Sequence, residues 1–251
     1  MAHGSADPRA AAVIGELVPL VASRAAERGL SVPDLRIAYL GHAAPSVPQV
    51  IRAYGPDTPI TVLPLLLTAA YHSKTDIPRV LARAGGSGAG MRVTYGDPLG
   101  PHPLLLRALE RRLPEAALEN PAEVGVVLAA AGSSDPEANA TIARMAAQWQ
   151  ARTGWFAVRP AYASPAAADG QGRTGAPDPA TAVTQLRAAG ARRVVVASYL
   201  LAPGLFADRI KDAALAAGAV ATSPALGAAP EVADVVLDRY QEAGTRQRTA
   251  A

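Results

Sequence analysis

The sequence has no cysteine, few aromatic residues (4%) and no long uninterrupted apolar run. The missing cysteines exclude disulfides, thiolate catalysis, cysteine-ligated zinc and iron–sulfur clusters. The longest apolar stretch, around residues 59–70, contains Pro64 and is too short to span a bilayer. No charged, apolar and cleavage-site signal opens the chain. These absences predict a cytoplasmic protein without a membrane segment, in which nitrogen and oxygen atoms bind any metal.

Charge and glycine motifs exclude further classes. The 24 Lys and Arg residues exceed the 21 Asp and Glu residues by three, and the excess is spread over both halves. No basic block of the kind that follows a nucleic-acid backbone is present. The sequence also lacks a phosphate-loop lysine, a dinucleotide fingerprint and a G-x-S-x-G elbow, which argues against nucleotide binding and serine hydrolysis. Half of the residues are hydrophobic, which predicts a folded core and no extensive disorder.

The second half repeats the first with the histidines replaced. The matched segments are AHGSADP (2–8) with AAGSSDP (130–136), VLPLLLTAAYHSKTDI (62–77) with VASYLLAPGLFADRI (196–210, one gap), and LGPHP (99–103) with LGAAP (226–230). The repeat predicts two lobes, residues 1–120 and 121–243, followed by a flexible tail over 244–251.

Apolar periodicity predicts the same plan in both lobes: an α/β fold with a parallel sheet flanked by helices on both faces. In the first lobe the expected strands are 35–40, 60–67 and 91–94, and the expected helices run from Pro8 to about Gly29 and over 46–54, 75–84 and 101–113. In the second lobe the expected strands are 124–130, 155–162 and 194–201, and the expected helices are 136–152, 179–189, 205–217 and 230–242. The Gly-, Pro- and Ala-rich segment 163–179 is predicted to be a loop.

All four histidines lie in the first 102 residues, in loop-like segments. His3 precedes the first helix and His72 follows a buried strand, so both are expected at the carboxyl ends of strands, where open parallel sheets bind ligands. Two neutral imidazoles with vacant positions beside them would hold a divalent transition metal weakly enough to release it. His42 can reach the same crevice, whereas His102, between two prolines, is expected to pack or cap its own turn.

The segments AHGSADPRA, AAPSVP, VLPLLLTAAYHSKTDIP and DPLGPHPLL together resemble the class II tetrapyrrole chelatases. These are the sirohydrochlorin ferrochelatases and cobaltochelatases, here in the long, internally duplicated form. The resemblance implies two chelatase-like lobes with the tetrapyrrole in the cleft between them. His3 and His72 would be the catalytic residues and metal ligands. Relatives commonly carry an acidic residue near the metal where Gly41 and His42 stand here. Either His42 replaces it as a third nitrogen ligand or the metal preference differs.

The resemblance also implies the substrates. Arg9, Lys74 and Arg79 are candidates for binding the carboxylates of the tetrapyrrole. A divalent metal, Fe²⁺ or Co²⁺, enters as substrate, and no organic cofactor is needed. The expected partners are sirohydrochlorin and the metal alone, with no nucleic acid and no membrane, and the chain is expected to act as a monomer of two pseudo-symmetric lobes.

The leading expectation is therefore insertion of a divalent metal into sirohydrochlorin, with Fe²⁺ favoured, for siroheme synthesis. Cobalt insertion for cobalamin synthesis is an alternative, and a non-catalytic tetrapyrrole or metal carrier is an alternative of another class. A periplasmic-type binding protein is disfavoured because no export signal is seen. Relatives begin with a full apolar strand before the HGS motif, where only Met1 and Ala2 stand here. We expect either that the start is placed too far downstream or that the first lobe lacks a central strand.

Overall fold

The computed structural model describes residues 1–32, 34–54, 58–68, 92–114, 119–164 and 177–249. In chain order its helices and strands are α1 (Pro8–Glu27), α2 (Val47–Arg52), β1 (Ile60–Val62), β2 (Val93–Tyr95), α3 (Pro103–Arg112), β3 (Val124–Ala130), α4 (Pro136–Arg152), β4 (Ala157–Tyr162), α5 (Pro179–Ala188), β5 (Arg193–Tyr199), α6 (Leu205–Ala216), β6 (Ala221–Thr222) and α7 (Pro230–Thr249). The predicted helix 75–84 and most of the predicted loop 163–179 lie outside the described residues. None of the described helices combines the length and apolarity that a membrane crossing requires.

The chain packs as two compact units that do not follow the repeat boundary. One unit comprises Met1–Leu105 with Ala228–Ala251, and the other comprises Leu106–Gly227. The sequence places the boundary at residue 120, but α7 at the end of the second repeat packs on α1 at the start of the first. An ion pair between Arg24 and Asp234 (2.7 Å) joins the two helices.

Three helices begin with the same dipeptide, Asp-Pro, as predicted for the first of them. Asp7, Asp135 and Asp178 precede α1, α4 and α5, and each carboxylate accepts a hydrogen bond from a backbone N–H in the first turn. Proline suits the following position because its ring presets the helical φ and it has no N–H to leave unsatisfied.

The second unit contains a four-stranded parallel sheet in the order β4-β3-β5-β6. All seven residues of β3 are buried, as expected for a central strand covered on both faces. The packed helices supply Ile142, Trp149, Leu186 and Ile210, each at most 2% exposed. Apart from the last helix, the predicted strands and helices of this lobe are confirmed to within two residues at each end, and β6, which has only two residues, was not predicted.

In the first unit the expected strand 35–40 forms only isolated parallel bridges, from Tyr39 to Ala2 and to Ser46. The N–H of Ala2 donates to Ala38 O (2.9 Å), and the N–H of Leu40 donates to Ala2 O (3.0 Å). On the other side of the chain start, the amino group of Met1 donates to Leu63 O (2.8 Å). Met1 and Ala2 thus hold the place of a central strand. The segment 35–40 would need a hydrogen-bonded partner along its whole length to form a strand. Ala2 is a partner for it only near Tyr39.

This unit contains an apolar cavity of about 250 Å³, and Met1 is one of the residues that line it. Its walls include α1, residues 34–38, α2, β1 and α7, through side chains such as Leu17, Ile37, Ile51, Ile60 and Leu237. β1 pairs in parallel register with β2 on its other edge, with Ile60 opposite Val93. The cavity therefore lies between β1 and residues 34–38.

The last helix is longer than the sequence indicated. The prediction ended it near residue 242 and treated 244–251 as a flexible tail, whereas α7 continues to Thr249. Ala243 is fully buried, and Arg246 pairs with Asp97 at 2.6 Å. This packing stabilises a polar segment whose own composition did not indicate a helix.

Candidate functional site

His3 is the last residue of the short central segment of the first unit. Its carbonyl oxygen accepts a hydrogen bond from the N–H of Gly41 (3.1 Å), which follows Tyr39 and Leu40 on the neighbouring segment. The His3 side chain is exposed. This position is at the carboxyl end of the chain segment, the edge at which parallel sheets bind ligands. The imidazole predicted to hold a metal is therefore accessible to one.

The loop after His3 has a fixed geometry. Gly4 has a φ of +89°, and a Cβ atom there would overlap the carbonyl oxygen of Gly41. Ser5 Oγ then accepts a hydrogen bond from the N–H of Asp7 (3.1 Å), which caps α1. Because only glycine fits this approach, the HGS motif fastens His3 to the loop that carries His42.

The same loop occurs in the second repeat without its imidazole. Gly132 has a φ of +82°, and Ser133 Oγ accepts from the N–H of Asp135 (3.0 Å), which caps α4. Ala131 stands where His3 stands in the first repeat. The pairing of AHGSADP with AAGSSDP is thereby confirmed in local structure, and loop folding does not require the histidine.

His42 lies directly beside this anchor. It is exposed and has a φ of +59°, and the N–H of Ala43 donates to Gly41 O (2.8 Å) across it, which defines a γ-turn. A non-glycine residue in the left-handed region carries a conformational cost of about 1–3 kcal/mol, and such residues concentrate at functional sites. The structure thus brings His3 and His42 onto two hydrogen-bonded loops at one edge.

Of the remaining predicted site residues, only Arg9 lies within the described ranges. His72, Lys74 and Arg79 lie outside the described residues. Arg9 is described, and its guanidinium pairs with Asp7 at 2.6 Å, which occupies it within its own helix turn. The side-chain hydrogen bond from Arg9, together with one from its backbone N–H, lowers the pKa of Asp7. Within the described ranges, no group of three or more His, Asp or Glu residues is placed to hold a metal ion.

His102 has the local role that was expected for it. Its Nδ1 atom accepts a hydrogen bond from the N–H of Leu104 (3.3 Å) in the first turn of α3, and its Nε2 atom lies 3.6 Å from Asp238. Burial, and next the charge of Arg239, lower the pKa of His102. Its counterpart in the second repeat, Ala229, is fully buried. His102 therefore caps the first turn of α3 and lies beside Asp238 of α7.

Two exposed residues near Phe206 were not singled out by the sequence. Leu205 and Arg209 flank Phe206, the counterpart of His72, on the first turns of α6, and all three are exposed. The i, i+4 spacing of Leu205 and Arg209 was visible, but which face of α6 is exposed depends on packing that spacing alone does not reveal.

These observations define a class of protein: a duplicated, parallel α/β chain with one histidine-bearing edge in its first repeat. The family model described as CbiX matches the chain twice, over residues 1–116 and 125–243. The chain belongs to the CbiX family.

Named relatives agree with this assignment. The chain is 30% identical over 156 residues to a sirohydrochlorin cobaltochelatase of Priestia megaterium, covering 61% of this chain and 48% of that protein. It is 26% identical over 188 residues to a sirohydrochlorin ferrochelatase of the same organism, covering 74% and 67%. Among solved structures, SirB from Bacillus subtilis with Fe³⁺ superposes with a TM-score of 0.78 at 24% identity, covering 99% of this chain and 95% of that chain. The alignments thus span between about half and two thirds of the two relatives' lengths.

Proposed function

We propose that this protein is a sirohydrochlorin chelatase that inserts a divalent metal ion into the tetrapyrrole, with Fe²⁺ as the favoured metal. The observation that carries the proposal is the glycine contact that fixes His3 beside the His42 loop at the carboxyl edge of the first unit. An exposed imidazole on a rigid loop can bind a metal and still leave coordination positions open for the incoming macrocycle. The names of the relatives support the substrate.

The residues have distinct roles in this proposal. His3 and His72 hold the metal and act as the catalytic residues, and His42 contributes a third nitrogen from the adjacent turn. Insertion replaces two pyrrole N–H protons by one divalent ion, so two protons leave for each metal that enters. A neutral histidine can accept such a proton. Lys74 and Arg79 bind substrate carboxylates. Arg9 can do so only by breaking its ion pair with Asp7.

Cobalt is the second candidate metal, because one of the two relatives is a cobaltochelatase. Imidazole nitrogen suits both ions, and the described donors include no cysteine to favour one of them. The chain is proposed to act as a cytoplasmic monomer, with no resident cofactor.

Purified protein mixed with sirohydrochlorin and either Fe²⁺ or Co²⁺ tests the function directly. The absorbance change of the macrocycle should be faster than the spontaneous reaction with at least one ion, and two protons should be released per insertion. A rate equal to the spontaneous rate with both ions would contradict the proposal. Tight binding of the macrocycle without turnover would instead indicate a carrier.

A further inference from the structure

Four large hydrophobic side chains are exposed in the part of the chain that the structure describes: Leu205, Phe206, Leu215 and Val220. Leu205 is 62% exposed and Phe206 is 41% exposed, and they are consecutive in the first turn of α6. Scattered single hydrophobic residues on a surface are ordinary, whereas a contiguous apolar patch indicates a binding surface.

This pair lies at the edge of the sheet where ligands bind. β5 ends at Tyr199, opposite Ala130 at the end of β3, and residues 200–204 lead from there into α6. The chain passes from β3 to β4 on one side and from β5 to β6 on the other, so the strand order reverses between β3 and β5. Open parallel sheets bind ligands beyond the carboxyl ends of the strands at such a switch point.

A cation follows the two apolar side chains by one turn of the helix. Arg209 follows Leu205 by four residues and Phe206 by three, and residues so spaced are neighbours on a helix. Arg209 is exposed and has no ion pair or side-chain hydrogen bond within the described ranges. Other arginines, such as Arg24 and Arg28, are paired with carboxylates there.

From this combination we infer that Leu205, Phe206 and Arg209, the α6 patch, bind the tetrapyrrole substrate. The inference rests on the proposed function and adds a binding surface to it. Leu205 and the Phe206 ring contact the apolar face of the macrocycle, and the guanidinium of Arg209 binds one of its peripheral carboxylates. An apolar surface beside an unpaired cation is complementary to a flat, apolar ring system with carboxylates on its rim.

The internal repeat supports a ligand-binding role for this surface. In the alignment of the two repeats, Phe206 corresponds to His72. The second repeat therefore has an exposed aromatic residue at the position that aligns with a histidine in the first. An exposed aromatic ring is unfavourable in water and becomes favourable when an apolar ligand covers it.

Binding of metal-free sirohydrochlorin, followed by fluorescence, tests the α6 patch with Phe206→Ala, Arg209→Gln and a matched control, Leu215→Ala. Leu215 is 40% exposed and lies ten residues after Leu205 on the same helix, about 15 Å away. We expect Phe206→Ala to weaken binding about tenfold and Leu215→Ala to leave it unchanged. Arg209→Gln should bind the macrocycle more weakly than the unaltered protein at low salt and equally tightly at high salt. Arg209→Lys should restore part of the affinity at low salt.

The outcomes separate this inference from the proposed function. If the unaltered protein inserts metal and the Phe206→Ala and Arg209→Gln variants bind the macrocycle as tightly as it does, the α6 patch is not the binding surface and the function stands. If the unaltered protein neither binds nor metallates sirohydrochlorin, both are wrong. Weaker macrocycle binding in these two variants, with unchanged affinity for Co²⁺ alone, supports the α6 patch.

Discussion

Gly4 and Gly41 are in backbone contact so close that a Cβ atom on Gly4 would overlap the carbonyl oxygen of Gly41. The contact is one-sided, because a Cβ atom on Gly41 would have no atom within 4 Å. The two glycines are therefore a matched pair for asking whether the loop geometry positions His3.

Replacing Gly4 by Ala should destabilise the protein by at least about 1–3 kcal/mol, because the residue also has a φ of +89°. Replacing Gly41 by Ala should change the free energy of unfolding by less than about 1 kcal/mol. Urea denaturation of both variants provides the comparison. An equal decrease in the free energy of unfolding for both variants would show that the close approach of the two loops does not require glycine at position 4.

His42 combines a strained backbone with a proposed ligand role, and the two can be separated. His42→Gly relieves the left-handed conformation and should raise the free energy of unfolding by up to about 1 kcal/mol. The same substitution removes an imidazole and should lower the affinity for Co²⁺, which the visible spectrum of bound cobalt reports. His42→Asn, which tolerates this conformation without supplying imidazole, should lower cobalt affinity without the gain in stability. Unchanged cobalt binding in both variants would remove His42 from the site.

His102 gives a pH-dependent contribution to stability. Burial lowers its folded-state pKa, so the unfolded chain takes up a proton first as the pH falls through about 6.5. Stability should therefore decrease on acidification through this range. His102→Asn keeps an acceptor for the Leu104 N–H and should lose this pH dependence, while His102→Ala should also lose about 1 kcal/mol for the helix cap. Thermal unfolding at pH 5.5 and pH 8 distinguishes them, and a wild-type pH dependence in His102→Asn would contradict the assignment.

The amino group of Met1 is a second source of pH dependence. Burial lowers its pKa to about 5. An unfolded chain binds this proton below about pH 8, so stability should fall between pH 8 and pH 5, independently of His102. The His102→Asn background isolates the effect.

Five apolar residues such as Val and Leu, fused ahead of Met1, should extend into the adjoining cavity. This extension should abolish the pH dependence of Met1 and raise the melting temperature. A Gly-Ser extension of equal length is the control, because it removes the buried amino group without filling the cavity. Equal melting temperatures for the two extended proteins would show that the cavity does not accept an apolar strand.

Local signals in the sequence were sufficient for much of the fold. The Asp7-Pro8 dipeptide marked the start of the first helix, and the buried run of β3 was identified residue for residue. The segment 35–40 was apolar enough for a strand, but a strand also requires a partner along its length, and Ala2 pairs with this segment only around Tyr39. The extension of α7 to Thr249 depends on contacts such as Arg246 with Asp97, which lie far apart in sequence.

The candidate site was predicted in part. The comparison of the two repeats singled out His3, because Ala131 stands at the matching position of the second copy. It could not show that His42 has a positive φ, since that conformation follows from the turn around Gly41. It also missed Leu205 and Arg209, because their exposure is a property of how α6 packs.

The central claim is that His3 holds the metal that enters the macrocycle. The most direct test is the rate of Fe²⁺ or Co²⁺ insertion at saturating sirohydrochlorin for the unaltered protein and for His3→Ala. We predict a fall of at least about 100-fold, because both a metal ligand and a proton acceptor are lost, with macrocycle affinity retained. A His3→Ala protein that inserts metal within about twofold of the unaltered rate, a change worth under 0.5 kcal/mol in the barrier, would contradict the account.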